Sequence, residues 1–147
     1  MVDALREAHR VLTPSGVLID VRPVAAPIVM EVVIAGEAVW TQAYDAYSAQ
    51  ADVEAADAAV GRVLSSEWLV FETRSPFDFE IYSDSGDDLR AYFETHKLSG
   101  AEIPYEELEE RRRASGTEGQ TARLRCRRPW MLTRYRKLRR AGVTFSV

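Results

Sequence analysis

Apolar residues recur at helical spacing from the start of the chain: Ala4, Leu5, Ala8, Val11 and Leu12 share one side, and Arg6, Glu7 and Arg10 take the rest. The pattern predicts a helix of about three turns. Pro14 and Gly16 end it, because proline cannot continue the hydrogen-bond ladder and glycine turns the chain at no side-chain cost. Val17 to Val21 follows as an almost unbroken apolar run, interrupted only by Asp20, which is the pattern of a central strand covered on both faces. Ile28 to Ile34 and Ala38 to Tyr44, rich in β-branched and aromatic residues, flank Ala35-Gly36-Glu37 and predict a β-hairpin.

From Ala49 to Trp68 a long helix is expected, capped by Ser48, with Val53, Ala56, Val60, Val63 and Leu64 on its buried face. Gly61 costs that helix about 1 kcal/mol relative to alanine and points to close packing. Leu69 to Arg74 and Phe77 to Tyr82 alternate as two strands separated by Ser75-Pro76. Ser83 to Gly86 is a turn and helix start, and Asp87 to His96 is helical through Leu89, Tyr92 and Phe93. Ile103-Pro104 opens another helix, in which Glu107 with Arg111 and Glu109 with Arg113 are spaced as i,i+4 ion pairs. Ser115 to Gly119 is a loop. Ala122 to Leu138 contains a strand broken or bent near Pro129, and Thr144 to Val147 adds a short last strand. No internal repeat interrupts this order, so one domain over residues 1–147 is expected, α/β in class, or α+β as an isolated chain.

Composition narrows the class of protein. At 46% hydrophobic and 10% aromatic residues, the chain has enough apolar surface for a core. No run approaches the roughly 18 apolar residues of a membrane span, and no charged leader precedes a hydrophobic segment, so a cytoplasmic location is the expectation. Cys126 is the single cysteine and His9 and His96 the only histidines, which excludes an internal disulfide and a thiolate- or histidine-rich metal site. The net charge of −4 conceals an asymmetry: residues 111–147 hold twelve Lys and Arg against Glu118 alone, leaving +11 there and −15 in the first 110 residues. A basic strand and helix lying against acidic neighbours explain this better than a nucleic-acid tail, since the segment alternates like a strand and carries Trp130, Met131, Leu132 and Tyr135.

The stretch Glu7-Ala8-His9-Arg10-Val11-Leu12-Thr13-Pro14-Ser15-Gly16-Val17-Leu18 resembles the E-x-x-R-V-L-x-P-G-G-x-L helix-turn-strand that leads into the fifth strand of class I S-adenosylmethionine-dependent methyltransferases. The resemblance implies a partial Rossmann-like methyltransferase sheet with a β-hairpin insertion at Ile28 to Tyr44 and flanking helices. In the family, the fifth strand is followed by a crossover helix and an antiparallel pair. Ala49 to Trp68, Leu69 to Tyr82 and Ala122 to Arg134 match those parts. Glu7, Arg10, Val11, Leu12, Pro14 and Gly16 match positions that are structural in the family, and none is catalytic. The family's G-x-G-x-G cofactor turn has no counterpart among the eight glycines, which include no G-x-G.

The expectation is therefore a methyltransferase-like second half without independent methyl transfer. No cofactor is expected for the isolated chain, and S-adenosylmethionine only where a complementary half is present. The resemblance further implies a homodimer or a separate polypeptide carrying the first half, because the first strand's edge and one flank would lie open. A small-molecule or protein-binding module is the alternative, and a nucleic-acid binder using the arginines of residues 123–136 ranks third. Candidates on the substrate side are Asp20 and Arg22, at the end of the first strand where open α/β folds place ligands, with Trp40 and Tyr44, and beside them Tyr47, as pocket aromatics. Each has a plainer explanation: an ion pair for Asp20 and Arg22, core packing for the aromatics. His96 reads as a helix cap, and Asp84, Asp87 and Asp88 as a helix start rather than a metal loop. Cys126, between two arginines, is either a thiol of lowered pKa or a buried strand residue.

Overall fold

The computed structural model describes residues 2–45, 47–66, 68–96, 102–117 and 119–138, with the side chains of 47–50 excepted. Four helices and five strands form in the order α1 (Val2–Val11), β1 (Val17–Pro23), β2 (Ile28–Ile34), β3 (Glu37–Tyr44), α2 (Tyr47–Ser65), β4 (Leu69–Ser83), α3 (Gly86–Thr95), α4 (Tyr105–Ser115) and β5 (Ala122–Lys137). The fold is mixed α/β around one antiparallel sheet. Its order is β1-β5-β2-β3, and β4 also pairs with β5. The last strand in sequence is thus the hub of the sheet. The chain divides into two compact units, one of residues 1–22, 54–76 and 131–147, the other of 23–53 and 77–130.

In the first unit, Val60, Val63, Leu69 and Tyr135 form the buried cluster, and Val2, Leu5, Leu12, Leu18, Leu64 and Trp68 pack on it. Of the expected stripe of α1, Leu5, Ala8 and Leu12 are partly covered, whereas Ala4 is exposed and Val11 is 62% exposed. Leu12, just past the helix end, makes the contact instead. Lys137 finishes α1 from a distance: its ammonium donates to the carbonyls of His9 and Leu12 at 2.7 and 2.8 Å, satisfying acceptors that a helix C-terminus leaves open. The turn that follows needs Gly16, since a Cβ there would lie 2.8 Å from the Thr13 carbonyl oxygen. Ser15 beside it takes the left-handed φ of 67°. On α2, Ala56, Val60 and Val63 are buried as expected, Val53 and Leu64 are partly buried, and Ala59 is buried as well; the helix begins at Tyr47, so Ser48 lies within its first turn rather than before it. Gly61 has open space around it, with nothing within 4 Å of the point an added Cβ would occupy, so its place reflects no close packing. β1 is not covered on both faces: Ile19 and Val21 are 49% and 44% exposed, because the strand lies at the end of the sheet order.

In the second unit the hairpin forms as expected, with Ile28 opposite Tyr44 and Ile34 opposite Glu37. Ala35 and Gly36 both have positive φ, 52° and 88°, as a two-residue turn matched to strand twist requires. β2 also pairs with β5 from Val29–Arg127 to Ile34–Ala122. Ile28, Met30 and Val32 pack with Leu124 and Cys126 of β5, Leu89 and Phe93 of α3, and Leu108 of α4. Burial of each large apolar side chain here contributes about 1.5–3 kcal/mol. Ser85 caps α3 by accepting from the Asp88 amide at 3.1 Å. Both expected ion pairs of α4 form, Arg111–Glu107 at 2.7 Å and Arg113–Glu109 at 2.6 Å.

Two strands run longer than the sequence pattern predicts. β4 is continuous through Ser75-Pro76, since it pairs with β5 alone and a proline on an edge strand need give up no ladder hydrogen bond. β5 is likewise continuous through Pro129, whose carbonyl accepts from the Val24 amide at 3.0 Å. Its inward set changes from Ala122, Leu124 and Cys126 to Thr133 and Tyr135, from even numbers to odd. Thr144 to Val147 lies outside the described residues.

Candidate functional site

Strand alternation and helix periodicity in the second unit surround a cavity of about 270 Å³. β4 contributes Phe79 and Ile81, two apart and so on one face; β5 contributes Cys126, Arg128 and Trp130 by the same rule. Tyr92, Phe93 and His96 close it from α3, at positions i, i+1 and i+4, and Ile28 from the start of β2. A cavity of about 150 Å³ accommodates benzene, so this one has room for a larger, ring-sized ligand. The Trp130 ring lies 5.4 Å from Phe79 and 6.3 Å from Phe77, giving the site an aromatic wall.

Two of the side chains that line this cavity carry polar groups without hydrogen-bond partners. Nε–H of Arg128 and Nε1–H of Trp130 are both buried without an acceptor. Neither side chain can accept a hydrogen bond, so both need an acceptor from outside themselves. Among the described residues no Asp or Glu lines the cavity. Burial lowers the pKa of Arg128 from its ordinary value, an effect that Cys126 partly offsets. The Cys126 thiol, also buried, is pushed up to about 12, the nearby Arg128 charge opposing only in part. It is a strand residue of the core rather than a low-pKa nucleophile. His96 caps α3 as expected: its ring Nδ1 lies 2.8 Å from the Tyr92 carbonyl oxygen, and the ring stacks on Tyr92 at 4.1 Å between centroids.

The other arginines of β5 have partners. In the second unit Arg123 meets Asp84, Arg125 meets Glu31 and Glu80, and Arg127 meets Glu31 and Asp78. In the first unit Arg134 and Arg136 both meet Glu72. The basic segment is thus lined by acids of its own chain, the arrangement its charge asymmetry and alternation predict. Arg128 is the arginine of this strand for which no such pair exists among the described residues.

The four candidates on the substrate side fall into different units, Asp20 and Arg22 in the first, Trp40 and Tyr44 in the second. Arg22 donates through Nε to Asp20 at 2.8 Å and contacts Asp57 at 3.0 Å, while its Nη1 is buried without an acceptor. The void beside Asp20 measures about 10 Å³, close to the minimum for one water. Trp40 packs on the core and lies under the Arg111 guanidinium at 4.8 Å. Tyr44 has a buried hydroxyl without an acceptor, and its pKa is raised by burial and by Glu107. The side chain of Tyr47 lies outside the described residues. His9 stacks on Trp68 at 5.7 Å. Asp87 and Asp88 occupy the first turn of α3, where negative charge favours the helix dipole, and no cluster with metal-binding composition occurs among the described residues.

The cavity residues Phe79 and Trp130 were not among the sequence candidates, and Arg128 was one only as part of a nucleic-acid face. A signal for them exists: Leu124, Cys126, Arg128 and Trp130 share one strand face, which places an arginine in an otherwise apolar row.

The fold is mixed α/β, and its second unit holds an aromatic pocket. Compared with family models, curated proteins and solved structures, the chain has no match. No helix among the described residues is long and apolar enough to cross a membrane.

Proposed function

We propose that this chain forms the second half of a class I methyltransferase-like sheet, does not transfer methyl groups by itself, and acts once its β1 edge is completed by a second copy or by a polypeptide carrying the first half. The observation that supports this reading is the strand order. β5, last in sequence, pairs with both β1 and β4, while α2 lies between β1 and β4 in the chain, as the crossover helix and antiparallel pair after the family's fifth strand would. Ser15 adds a local argument: it stands at the first glycine of the P-G-G pattern and adopts the positive φ that glycine takes most readily.

The residues of this chain do not fit S-adenosylmethionine. No glycine pair makes the close-approach turn, and the one glycine turn leading into β1 is closed on itself, the Gly16 amide donating to the Thr13 carbonyl at 2.8 Å. No chemical step is therefore routed through that cofactor. What β1 offers is an edge: among the described residues it pairs only with β5, and Ile19 and Val21 stand exposed on it. The hairpin and the segment after Arg22 would form the substrate side of the completed assembly.

Sedimentation of the purified chain, with dye binding and calorimetric titration of S-adenosylmethionine, tests this reading. A dimer, or a monomer that binds hydrophobic dye, is expected, with no cofactor uptake by the monomer. A monomer that binds no dye overturns it.

A further inference from the structure

We infer that residues 77–83 of β4 take an added strand, an extended peptide of another protein that places a large aromatic side chain in the cavity and a neighbouring lysine or arginine beside Glu80. This surface uses β4 and leaves β1 free, so it stands whether or not the methyltransferase reading does. Among the described residues β4 pairs with β5 alone, so its outer row of N–H and C=O groups has no partner strand. The same stretch is a rim of the cavity, to which it contributes Phe79 and Ile81. Phe77 and Phe79 stand 40% and 41% exposed on it. Open backbone beside a pocket for alternate side chains is what strand addition uses, the backbone for affinity and the pocket for the choice of partner.

The cavity sets the aromatic anchor. Its volume of about 270 Å³, against about 150 Å³ for a benzene-sized cavity, has room for an indole, and Phe79, Tyr92, Phe93 and Trp130 supply ring contacts. The opposite face of the strand sets the charge. There Arg123, Arg125 and Arg127 share four carboxylates, those of Glu31, Asp78, Glu80 and Asp84, which leaves one negative charge over. Glu80 is the least compensated: Arg125 lies 3.9 Å from it but donates to Glu31 at 2.5 Å, and its other partner is the neutral hydroxyl of Tyr82. Successive strand residues point to opposite faces, so a peptide that meets both features carries its aromatic and basic residues side by side. The same acids argue against a second copy as the occupant. Antiparallel self-pairing centred on Phe79 sets Asp78 against Glu80, and centring on Glu80 sets the two Glu80 carboxylates against each other.

The test uses the end-blocked heptapeptide Thr-Val-Lys-Trp-Lys-Val-Thr, which reads the same in either strand direction, titrated calorimetrically into the intact wild-type chain. Replacing its tryptophan by alanine should weaken binding at least about tenfold, as the loss of one buried aromatic side chain implies. Replacing both lysines by glutamate should weaken it about as much, and Glu80→Gln should shrink that lysine preference at least about threefold. N–H groups alternate in direction along a strand, so N-methylation of one alternate set, the two lysines or the two valines, should abolish binding, while methylation of the other leaves it within about threefold. Saturation should slow amide exchange at those of residues 77–83 whose N–H groups face away from β5. The proposal is overturned by no binding to folded protein at about 1 mM, by equal affinity of the alanine peptide, by an undiminished lysine preference in Glu80→Gln, by undisturbed binding of both methylated peptides, or by unchanged exchange at saturation. A chain that sediments as a dimer with those amides already slow before peptide is added has a second copy on this edge, which overturns it as well.

Discussion

Arg127 lies diagonally across the β2–β5 ladder from Glu31, its Nη2 2.8 Å from Oε1, and the Nε of Arg125, directly opposite Glu31, donates to Oε2 at 2.5 Å. Glu31 is 2% exposed, so one buried carboxylate is held between two guanidiniums. Burial by itself would raise the Glu31 pKa, but hydrogen bonds from Arg127 and Arg125 outweigh it and the net shift is downward. Replacing Glu31 with Gln should cost about 2–4 kcal/mol, somewhat less than a fully buried broken pair because Arg125 and Arg127 keep Glu80 and Asp78. Urea denaturation with an unchanged slope checks this; a loss below about 0.5 kcal/mol would mean the triad is energetically idle.

Two glycines should respond in opposite directions. A Cβ on Gly86 would lie 2.7 Å from the Tyr105 carbonyl and 3.1 Å from Glu109 Cβ, so Gly86→Ala forces α3 from α4 and should cost about 1–3 kcal/mol. Gly61→Ala meets nothing within 4 Å in a helix interior and should stabilise by about 0.5–1 kcal/mol. Thermal denaturation of both variants decides the matter.

Glu109 sets an acid limit. Arg112, hydrogen-bonded to it at 2.7 Å, is the main cause of a pKa lowered from 4.5 to about 2, with the Gly86 amide and Arg113 adding to it and burial opposing. A carboxylate whose folded pKa lies below its unfolded one stabilises the fold above about pH 4.5, and that contribution is lost as pH falls toward 2. Wild-type stability should therefore fall across that window, and Glu109→Gln should flatten the fall while lowering stability at neutral pH. A variant with the wild-type pH profile would show that other carboxylates carry it.

Cys126 should be inert. With its thiol pushed up to about 12 by burial, reaction with a thiol-specific disulfide reagent at pH 8 should be slow in the native protein and complete in denaturant. Fast native labelling would indicate that the second unit opens locally.

The β1 edge gives a prediction for association. Ile19 and Val21 are exposed on the strand, so Val21→Lys should abolish self-association measured by sedimentation while changing stability by less than about 0.5 kcal/mol. An unchanged assembly state would move the interface away from β1.

Much of the fold was legible because its signals are local. The hairpin followed from alternation around Ala35-Gly36, and the faces of α2 and α3 from the spacing of Val60 and Val63 and of Leu89 and Phe93. The errors came where a neighbour distant in sequence decides. Pro76 looks like a strand break until β4 is known to be an edge strand, and Val17 to Val21 looks like a central strand until β1 is found at the end of the sheet. The cavity went unread for the same reason, as its three strand contributors lie far apart in the chain.

The sequence by itself determined where helices and strands form, which side of each is apolar, and that the arginines of residues 123–136 needed acidic company; these follow from periodicities of 3.6 and 2 and from charge balance. Tertiary structure alone decided which acids they meet, that Glu31 is shared by two of them, and that Arg128 has no carboxylate partner among the described residues. Strand order sets these pairings, and it arises from contacts between segments as far apart as residues 31 and 127, which no local pattern encodes.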